Sequence, residues 1–85
     1  MHEMSFAMEI ARIAEAKLGA SSAQLVTVAV DVGDRAGVEP ANLEFCLEAV
    51  FSVPPFSGAK PHILHCAGDV LRVAYLEVDD GCPDD

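Results

Sequence analysis

The residues with the clearest chemistry are the first three, Met1, His2 and Glu3. A free α-amine has a pKa of about 7.7–8.0, so part of it is deprotonated at neutral pH. The Met1 amine, the His2 amide nitrogen and His2 Nδ1 can then close fused chelate rings on one metal ion, a nitrogen-rich set that suits Ni(II) or Cu(II). Glu3 can add an oxygen ligand or hydrogen-bond the imidazole. Because these nitrogens must lose protons, binding should weaken as the pH falls.

The alternative is that a histidine at position 2 has no function, because chain termini are commonly frayed and tolerant of change. Metal chemistry is favoured by the element that follows. Apolar residues recur at helical spacing through residues 5–18, among them Phe6, Ile10 and Ile13. A helix directly after the terminus would hold the donor atoms close to the domain. The helix thus supports a metal site at the MHE start, and both interpretations stay open at this point.

A second set of metal-ligating residues consists of His62, His65 and Cys66. Successive side chains of a strand point to opposite faces, so His62 and His65 cannot both bind one ion without a bulge. Three side chains also fall short of the four ligands of a closed zinc site. We interpret these residues as surface and edge-strand positions, and a site shared across a dimer is the open alternative.

Apolar periodicity and turn residues predict five elements. β-branched residues alternate most regularly in the first strand, and Pro40 suits the first turn of the second helix. In chain order the elements are a helix at 5–18, a strand at 25–33, a helix at about 39–51, and strands at 62–66 and 70–78, with loops at 19–24 and 52–61. They predict an α+β fold in which two helices pack on one face of a small three-stranded mixed sheet.

The last two strands are predicted to form a hairpin, because the connection at about 66–69 is short. Strict alternation places Leu71, Val73 and Tyr75 on one face of the last strand and Val70, Arg72, Ala74 and Leu76 on the other. The domain is predicted to span residues 1–79. The acidic residues 80–85 are predicted to form a disordered tail.

Composition excludes several classes of protein. The net charge is −9 and the five basic residues are scattered, which disfavours nucleic-acid binding. No apolar run is long enough for a membrane span and no basic leader of a signal peptide is present, so a cytoplasmic protein is predicted. Three cysteines without a CxxC pair argue against both a disulfide framework and bound zinc. Without a paired nucleophile and base or a phosphate-binding loop, the chain is not expected to be an enzyme.

Three stretches occur together in an order and spacing typical of one protein family. They are MHEMSFAMEIARIAEA, VTVAVDVGDRAGVEPANLEFCLEAV and LRVAYLEVD, and the MHE start and the GVEP turn are their most specific parts. Together they resemble the HypA/HybF nickel metallochaperones of hydrogenase maturation. The resemblance implies a nickel site at His2, Glu3 and the backbone nitrogens of Met1 and His2. It also implies the hydrogenase large subunit and a GTPase accessory protein as partners, and some members serve urease.

The chain departs from that family in two places. Family members insert a zinc domain with two CxxC pairs between the last two strands, where this chain has only HILHCAGDVLR. Asp34-Arg35-Ala36 also replaces the Glu-Leu-Ser of the family's VGELSGVEP. We predict a nickel-binding metallochaperone or accessory protein of NiFe-hydrogenase maturation, holding Ni(II) at Met1-His2-Glu3 for transfer to a target enzyme. The alternative is a metal-free interaction module that keeps the fold and docks to maturation partners, and a homodimer is left open.

Overall fold

The strand β1, Leu25–Gly33, is the centre of the fold in a computed structural model that describes residues 3–79. The elements in chain order are α1 (Glu3–Leu18), a 3₁₀ helix (Gly19–Gln24), β1, α2 (Pro40–Val50), β2 (Lys60–Cys66) and β3 (Leu71–Val78). β1 pairs with β2 in parallel on one side and with β3 in antiparallel orientation on the other. The predicted α+β fold with a small mixed sheet is confirmed. The predicted tail at 80–85 lies outside the described residues.

β2 and β3 lie on opposite edges of the sheet, so the predicted hairpin between them is wrong. The short connection after β2 instead crosses the carboxyl end of β1. There the Gly33 N–H donates to the Val70 carbonyl at 2.7 Å, and the Arg35 N–H donates to the Gly68 carbonyl at 2.7 Å. A short connection limits how far apart two strands can end, but it does not require them to pair. β1 is the most apolar strand and takes the central place, where both of its edges are hydrogen-bonded.

A β-bulge in β3 changes which residues face the core. Val30 pairs with Val73 and Ala29 pairs with Tyr75, so Ala74 is an extra residue on β3. The bulge shifts the alternation by one position. Leu76 therefore packs against the core together with Leu71 and Val73, and Tyr75 lies on the open face of the sheet. The predicted grouping of Tyr75 with Leu71 and Val73 is wrong for this reason.

Both helices cover the same face of the sheet and enclose an aliphatic core. Its fully buried side chains come from α1, β1 and α2, namely Ala7, Ile10, Ala14, Val28, Val30, Val32, Leu43 and Leu47. Cys46 is buried among them as a small apolar group. No helix within residues 3–79 has the length and hydropathy needed to cross a lipid bilayer.

The segment predicted as a loop at 19–24 is a short 3₁₀ helix that joins α1 to β1. The Ser22 hydroxyl is buried and donates to the Gly19 carbonyl at 2.8 Å. Serine side chains often form such local bonds to the backbone, which lets a polar residue close a tight turn inside the protein. The segment therefore ends α1 and turns the chain directly into the central strand.

Candidate metal centre

The candidate metal terminus lies at the start of α1. Met1 and His2 are outside the described residues, so their predicted role as nickel donors stays a prediction. Glu3 is the first described residue and also the first residue of α1. The helix thus begins two residues before the predicted start at Ser5, directly after His2. The described helix therefore reaches the residue that directly follows His2 in the chain.

The Glu3 carboxylate contacts the beginning of α2. Its Oε2 accepts a hydrogen bond from the Glu39 N–H at 2.8 Å, and its Oε1 accepts one from the Asn42 side-chain amide at 3.0 Å. The first N–H groups of a helix lack partners within the helix and carry a partial positive charge. A carboxylate at this place is therefore stabilised, and Glu3 ties the start of α1 to the start of α2. We call this contact of Glu3 with Glu39 and Asn42 the Glu3 anchor.

The local sequence of α2 prepares the other half of this contact. Glu39 is the N-cap residue, and its own carboxylate accepts from the Ala41 N–H at 2.9 Å. Pro40 occupies the first helical position, where its missing N–H costs nothing. The prediction that Pro40 lies in the first turn of α2 is confirmed. The Glu39 N–H is then available for the Glu3 side chain.

The Glu3 anchor also sets the charge of the site. The hydrogen bond from the Glu39 backbone lowers the pKa of Glu3 most, and the backbone N–H of Glu3 and the Asn42 amide lower it further. All three donors stabilise the carboxylate over the carboxylic acid. Glu3 is therefore ionised at neutral pH. Each of its oxygens has a second lone pair, so the anchor leaves acceptor capacity for another group.

Sequence reasoning missed the anchoring role of Glu3. It assigned Glu3 as a nickel ligand or as a partner of the imidazole, and the structure shows a contact with residues 36 and 39 positions further along the chain. Nothing in the local spacing of the MHE start indicates that contact. The one available signal was the position of a carboxylate at the start of one helix and of a Glu-Pro pair at the start of another.

The structure does not bring His62, His65 and Cys66 together as a metal site. His62 lies beside Ala29 and His65 beside Val32, so the two imidazoles are on opposite faces of β2. All three residues are exposed, and β2 is an edge strand, in agreement with the predicted interpretation. Among residues 3–79 no group of three or more histidine, cysteine or acidic side chains could hold a metal ion.

An apolar groove lies between α1, the end of α2 and the loop that follows it. It has a volume of about 490 Å³. Met8 and Val53 are exposed for 59% and 53% of their surface at this groove, although both are apolar. Its lining includes Met4, Met8, Ala11, Val50, Val53 and Pro54. Sequence reasoning did not predict the groove, because it forms between α1 and a loop that are far apart in the chain.

Comparison with models of known protein families shows to which family this chain belongs. A family model described as "Hydrogenase/urease nickel incorporation, metallochaperone, hypA" matches residues 1–75. The chain belongs to the HypA family. The match includes the MHE start, both helices, β1, β2 and the first part of β3. The predicted resemblance to nickel metallochaperones is confirmed, and a family of metallochaperones agrees with the prediction that the chain is not an enzyme.

Curated HypA proteins are similar to most of the chain. The hydrogenase maturation factor HypA of Azotobacter chroococcum mcd 1 is 34% identical over 90 residues, which cover 98% of this chain and 80% of the relative. The HypA of Albidiferax ferrireducens is 33% identical over 78 residues, or 91% of this chain and 69% of the relative. The HypA of Geobacter metallireducens is 35% identical over 60 residues, or 71% of this chain and 53% of the relative. The matched regions therefore span between about half and four-fifths of these relatives.

Proposed function

We propose that this HypA-family protein is a nickel metallochaperone that carries Ni(II) at its Met1-His2-Glu3 terminus and transfers it to a hydrogenase. The Glu3 anchor is the observation that supports the proposal. Glu3 is held by α1 and by two hydrogen bonds to the start of α2. Since His2 is its neighbour in the chain, the candidate donor atoms belong to residues attached to a fixed point of the domain. A donor set that is held near its binding geometry loses less entropy when it takes up a metal ion.

The residues of the proposed site have different tasks. The Met1 amine, the His2 amide and His2 Nδ1 supply the three nitrogen donors for Ni(II), the cargo ion. Glu3 holds the terminus, and its ionised carboxylate attracts a cation electrostatically. It can also accept a hydrogen bond from a liganding imidazole, an interaction that orients such ligands in other metal sites. Asn42 and the Glu39 N–H orient Glu3 in turn.

The same donors make the proposed binding depend on pH. The amine and the imidazole bind metal only when deprotonated, and their ordinary pKa values are about 7.7–8.0 and about 6.5. Protons therefore compete with nickel from mildly alkaline pH downwards. Nickel uptake is favoured at neutral pH and above, and acidification releases the ion. A set of only three nitrogen donors also allows a receiving protein to exchange ligands with the carrier one at a time.

The recipients are proposed from the family. The family description names hydrogenase and urease, and the relatives are hydrogenase maturation factors. The hydrogenase large subunit is therefore the proposed recipient, and a GTPase accessory protein is the proposed second partner. The transfer of nickel and the contact with the accessory protein are both proposed to take place in the cytoplasm.

A second candidate function is supported by the apolar groove. A metal-free adaptor needs a surface that partners can recognise, and exposed methionines adapt to different apolar partners. Met4 and Met8 are 40% and 59% exposed at the groove. In this alternative the protein keeps the family fold and docks to maturation proteins without carrying nickel.

Calorimetric titration of Ni(II) into the untagged full chain at neutral pH tests the metal-carrier proposal. We expect one nickel ion per chain. His2→Ala, and a form with one extra residue before Met1, are each expected to lose tight binding because they remove the imidazole or the free amine. Glu3→Ala keeps all three nitrogens and is expected to weaken binding roughly 10- to 100-fold, as the loss of an orienting residue does in other metal sites.

His62→Ala is the matched control, because it removes an exposed imidazole on β2 and should leave the titration unchanged. Absence of binding, or binding that His2→Ala does not alter, would contradict the carrier proposal and favour the adaptor. Binding that is lost in His62→Ala and kept in His2→Ala would move the metal site to the edge of β2.

A further inference from the structure

The outer edge of β3 is unpaired within the described chain. β3 pairs with β1 on one side, and no other strand of residues 3–79 pairs with it. Such an edge presents a row of free backbone N–H and C=O groups to which a further strand can add. Tyr75 and Val78 are 49% and 39% exposed along this strand, so apolar surface accompanies the free backbone groups.

The sequence of β3 is complementary to itself. When two copies are placed antiparallel about a two-fold axis between Ala74 and Tyr75, Arg72 of each copy lies opposite Glu77 of the other. Opposite charges in directly opposed cross-strand positions attract each other, and like charges there repel. The other facing pairs are Leu71 with Val78, Val73 with Leu76, and Ala74 with Tyr75. Every charged position thus meets its opposite, and every apolar position meets an apolar one.

The β-bulge allows this pairing. Residues that face each other across an antiparallel pair must point to the same side of the sheet. In a regular strand, side chains five positions apart point to opposite sides, so Arg72 and Glu77 could not meet. The extra residue Ala74 brings them to one side. Arg72 pairs with Asp31 and Glu77 with Thr27, which are four residues apart on β1 and share the open face.

Arg72 has hydrogen-bond donors left for a second carboxylate. Its Nε donates to Asp31 Oδ2 at 3.0 Å, and its side chain is 72% exposed. A guanidinium group has five N–H donors in a planar fork, and this bond uses only one of them. Asp31 also holds the side chain in place over the open face. Arg72 can therefore keep its contact within the chain while it binds Glu77 of another copy.

The other free edge lacks these features. β2 contains Pro61, which has no N–H to donate, and prolines on edge strands discourage the addition of another strand. About its midpoint at Ile63, β2 would place Pro61 opposite His65 and Lys60 opposite Cys66. No oppositely charged pair results, so self-complementarity belongs to the β3 edge.

We propose that β3 pairs with β3 of a second copy of this chain and forms a two-fold symmetric dimer with a continuous six-stranded sheet. The strand order across the dimer is β2-β1-β3-β3-β1-β2. An interface of this kind is isologous, because the same residues are used on both sides. Each copy carries a net charge of −9, so association is best measured at moderate ionic strength, where repulsion between the copies is screened.

Sedimentation equilibrium of the full chain over micromolar to millimolar concentrations tests the proposal. We expect the mass to rise from 9.0 kDa to about twice that value. Glu77→Arg and Arg72→Glu each oppose like charges, so each variant alone should remain monomeric. An equimolar mixture of the two restores both opposite-charge pairs and should dimerise. Glu44→Arg makes the same change of charge on the exposed side of α2, and it should behave as the unmodified chain.

Two further measurements locate the interface. Tyr75 is the one tyrosine of a chain without tryptophan, so its fluorescence reports directly on the proposed axis. Quenching of this fluorescence by iodide should decrease with protein concentration, and amide exchange in residues 71–78 should slow. Circular dichroism shows whether Arg72→Glu, which loses the Asp31 contact, is folded. If it is not, Glu77→Arg and the Tyr75 signal still decide the question. A chain that stays monomeric, or a dimer that survives Glu77→Arg without protection of β3, overturns the proposal.

Discussion

At the scale of single residues, two carboxylates show how the same change in pKa can have different consequences. The pKa of Glu9 is lowered by its ion pair with Arg12 one turn later on α1. Exposed pairs of this kind contribute little to stability. The pKa of Glu3 is lowered first by the backbone of Glu39, on another helix. Ionisation of Glu3 is thus linked to the contact between α1 and α2.

We predict that the free energy of unfolding of Glu3→Gln decreases less with falling pH than that of the unmodified protein. The pKa of Glu3 in the folded protein is below its ordinary value of 4.5, so its contribution is present above that value. This contribution to the free energy of unfolding is lost as the pH falls through the lowered pKa, because a protonated Glu3 accepts the two hydrogen bonds of the anchor less strongly. Urea unfolding at several pH values should therefore show a shallower decline for Glu3→Gln below about pH 4.5.

The control for this experiment is Glu15→Gln, an exposed glutamate on the same helix. It removes the same charge and leaves both hydrogen bonds of the Glu3 anchor in place, so its acid profile should follow that of the unmodified protein. Equal profiles for all three proteins would show that the Glu3 anchor does not persist in solution.

At the scale of elements, the crossing of the chain over the end of β1 depends on Gly33. A Cβ at this position would lie 2.2 Å from the Gly68 carbonyl oxygen and 2.8 Å from the Val70 nitrogen. Both are backbone atoms, which cannot rotate away. The crossing is held from the other side by the Asp34 carboxylate, which accepts from the Gly68 N–H at 2.8 Å. The path from β2 to β3 therefore requires a residue without a side chain at the end of β1.

We predict that Gly33→Ala destabilises the protein by roughly 1–3 kcal/mol, the usual cost of an added methyl group in closely packed surroundings. The midpoint of urea unfolding, followed by circular dichroism, measures this change. Thr27→Ala, on the open face of the same strand, should change the free energy of unfolding by less than about 1 kcal/mol. An unchanged midpoint for Gly33→Ala would mean that the connection can pass β1 at a greater distance.

At the scale of the whole molecule, a small core carries the stability. Phe51 is fully buried at the end of α2 and meets Phe56 edge to face, with their ring centroids 4.6 Å apart. Both rings lie in the core where the chain passes from α2 towards β2. A chain of 85 residues buries only about 60–65% of its unfolded surface, so few contacts can be lost before it unfolds.

We predict that Phe51→Ala costs about 3–5 kcal/mol, because it removes a buried ring and leaves a cavity. That is a large part of the roughly 5–15 kcal/mol that stabilises a typical domain. Phe45→Ala is the matched control, since the same substitution is made on α2 at a side chain that is 68% exposed. Its effect should stay within about 0.5 kcal/mol. Thermal unfolding of both variants compares them, and similar losses would place Phe45 in an interface that the monomer does not show.

Several features of this protein follow from local patterns of residues. The alternating β-branched residues of β1 and Pro40 in the first turn of α2 were both predicted correctly. Each depends on neighbours within one or two turns of the chain, where side-chain spacing and backbone preference act directly. The order and spacing of the three matching stretches also indicated the HypA family, and the family match over residues 1–75 confirms it.

Other features arose from contacts between distant parts of the chain. The central position of β1, the crossing at Gly33 and the Glu3 anchor all join residues more than 30 positions apart. Even the bulge at Ala74, a local irregularity, reflects the need of β3 to bury Leu76 as well as Val73 against the same core. Local preferences are satisfied equally well by a hairpin and by two edge strands. Packing of the whole chain chose between them, because only one arrangement buries both edges of the most apolar strand.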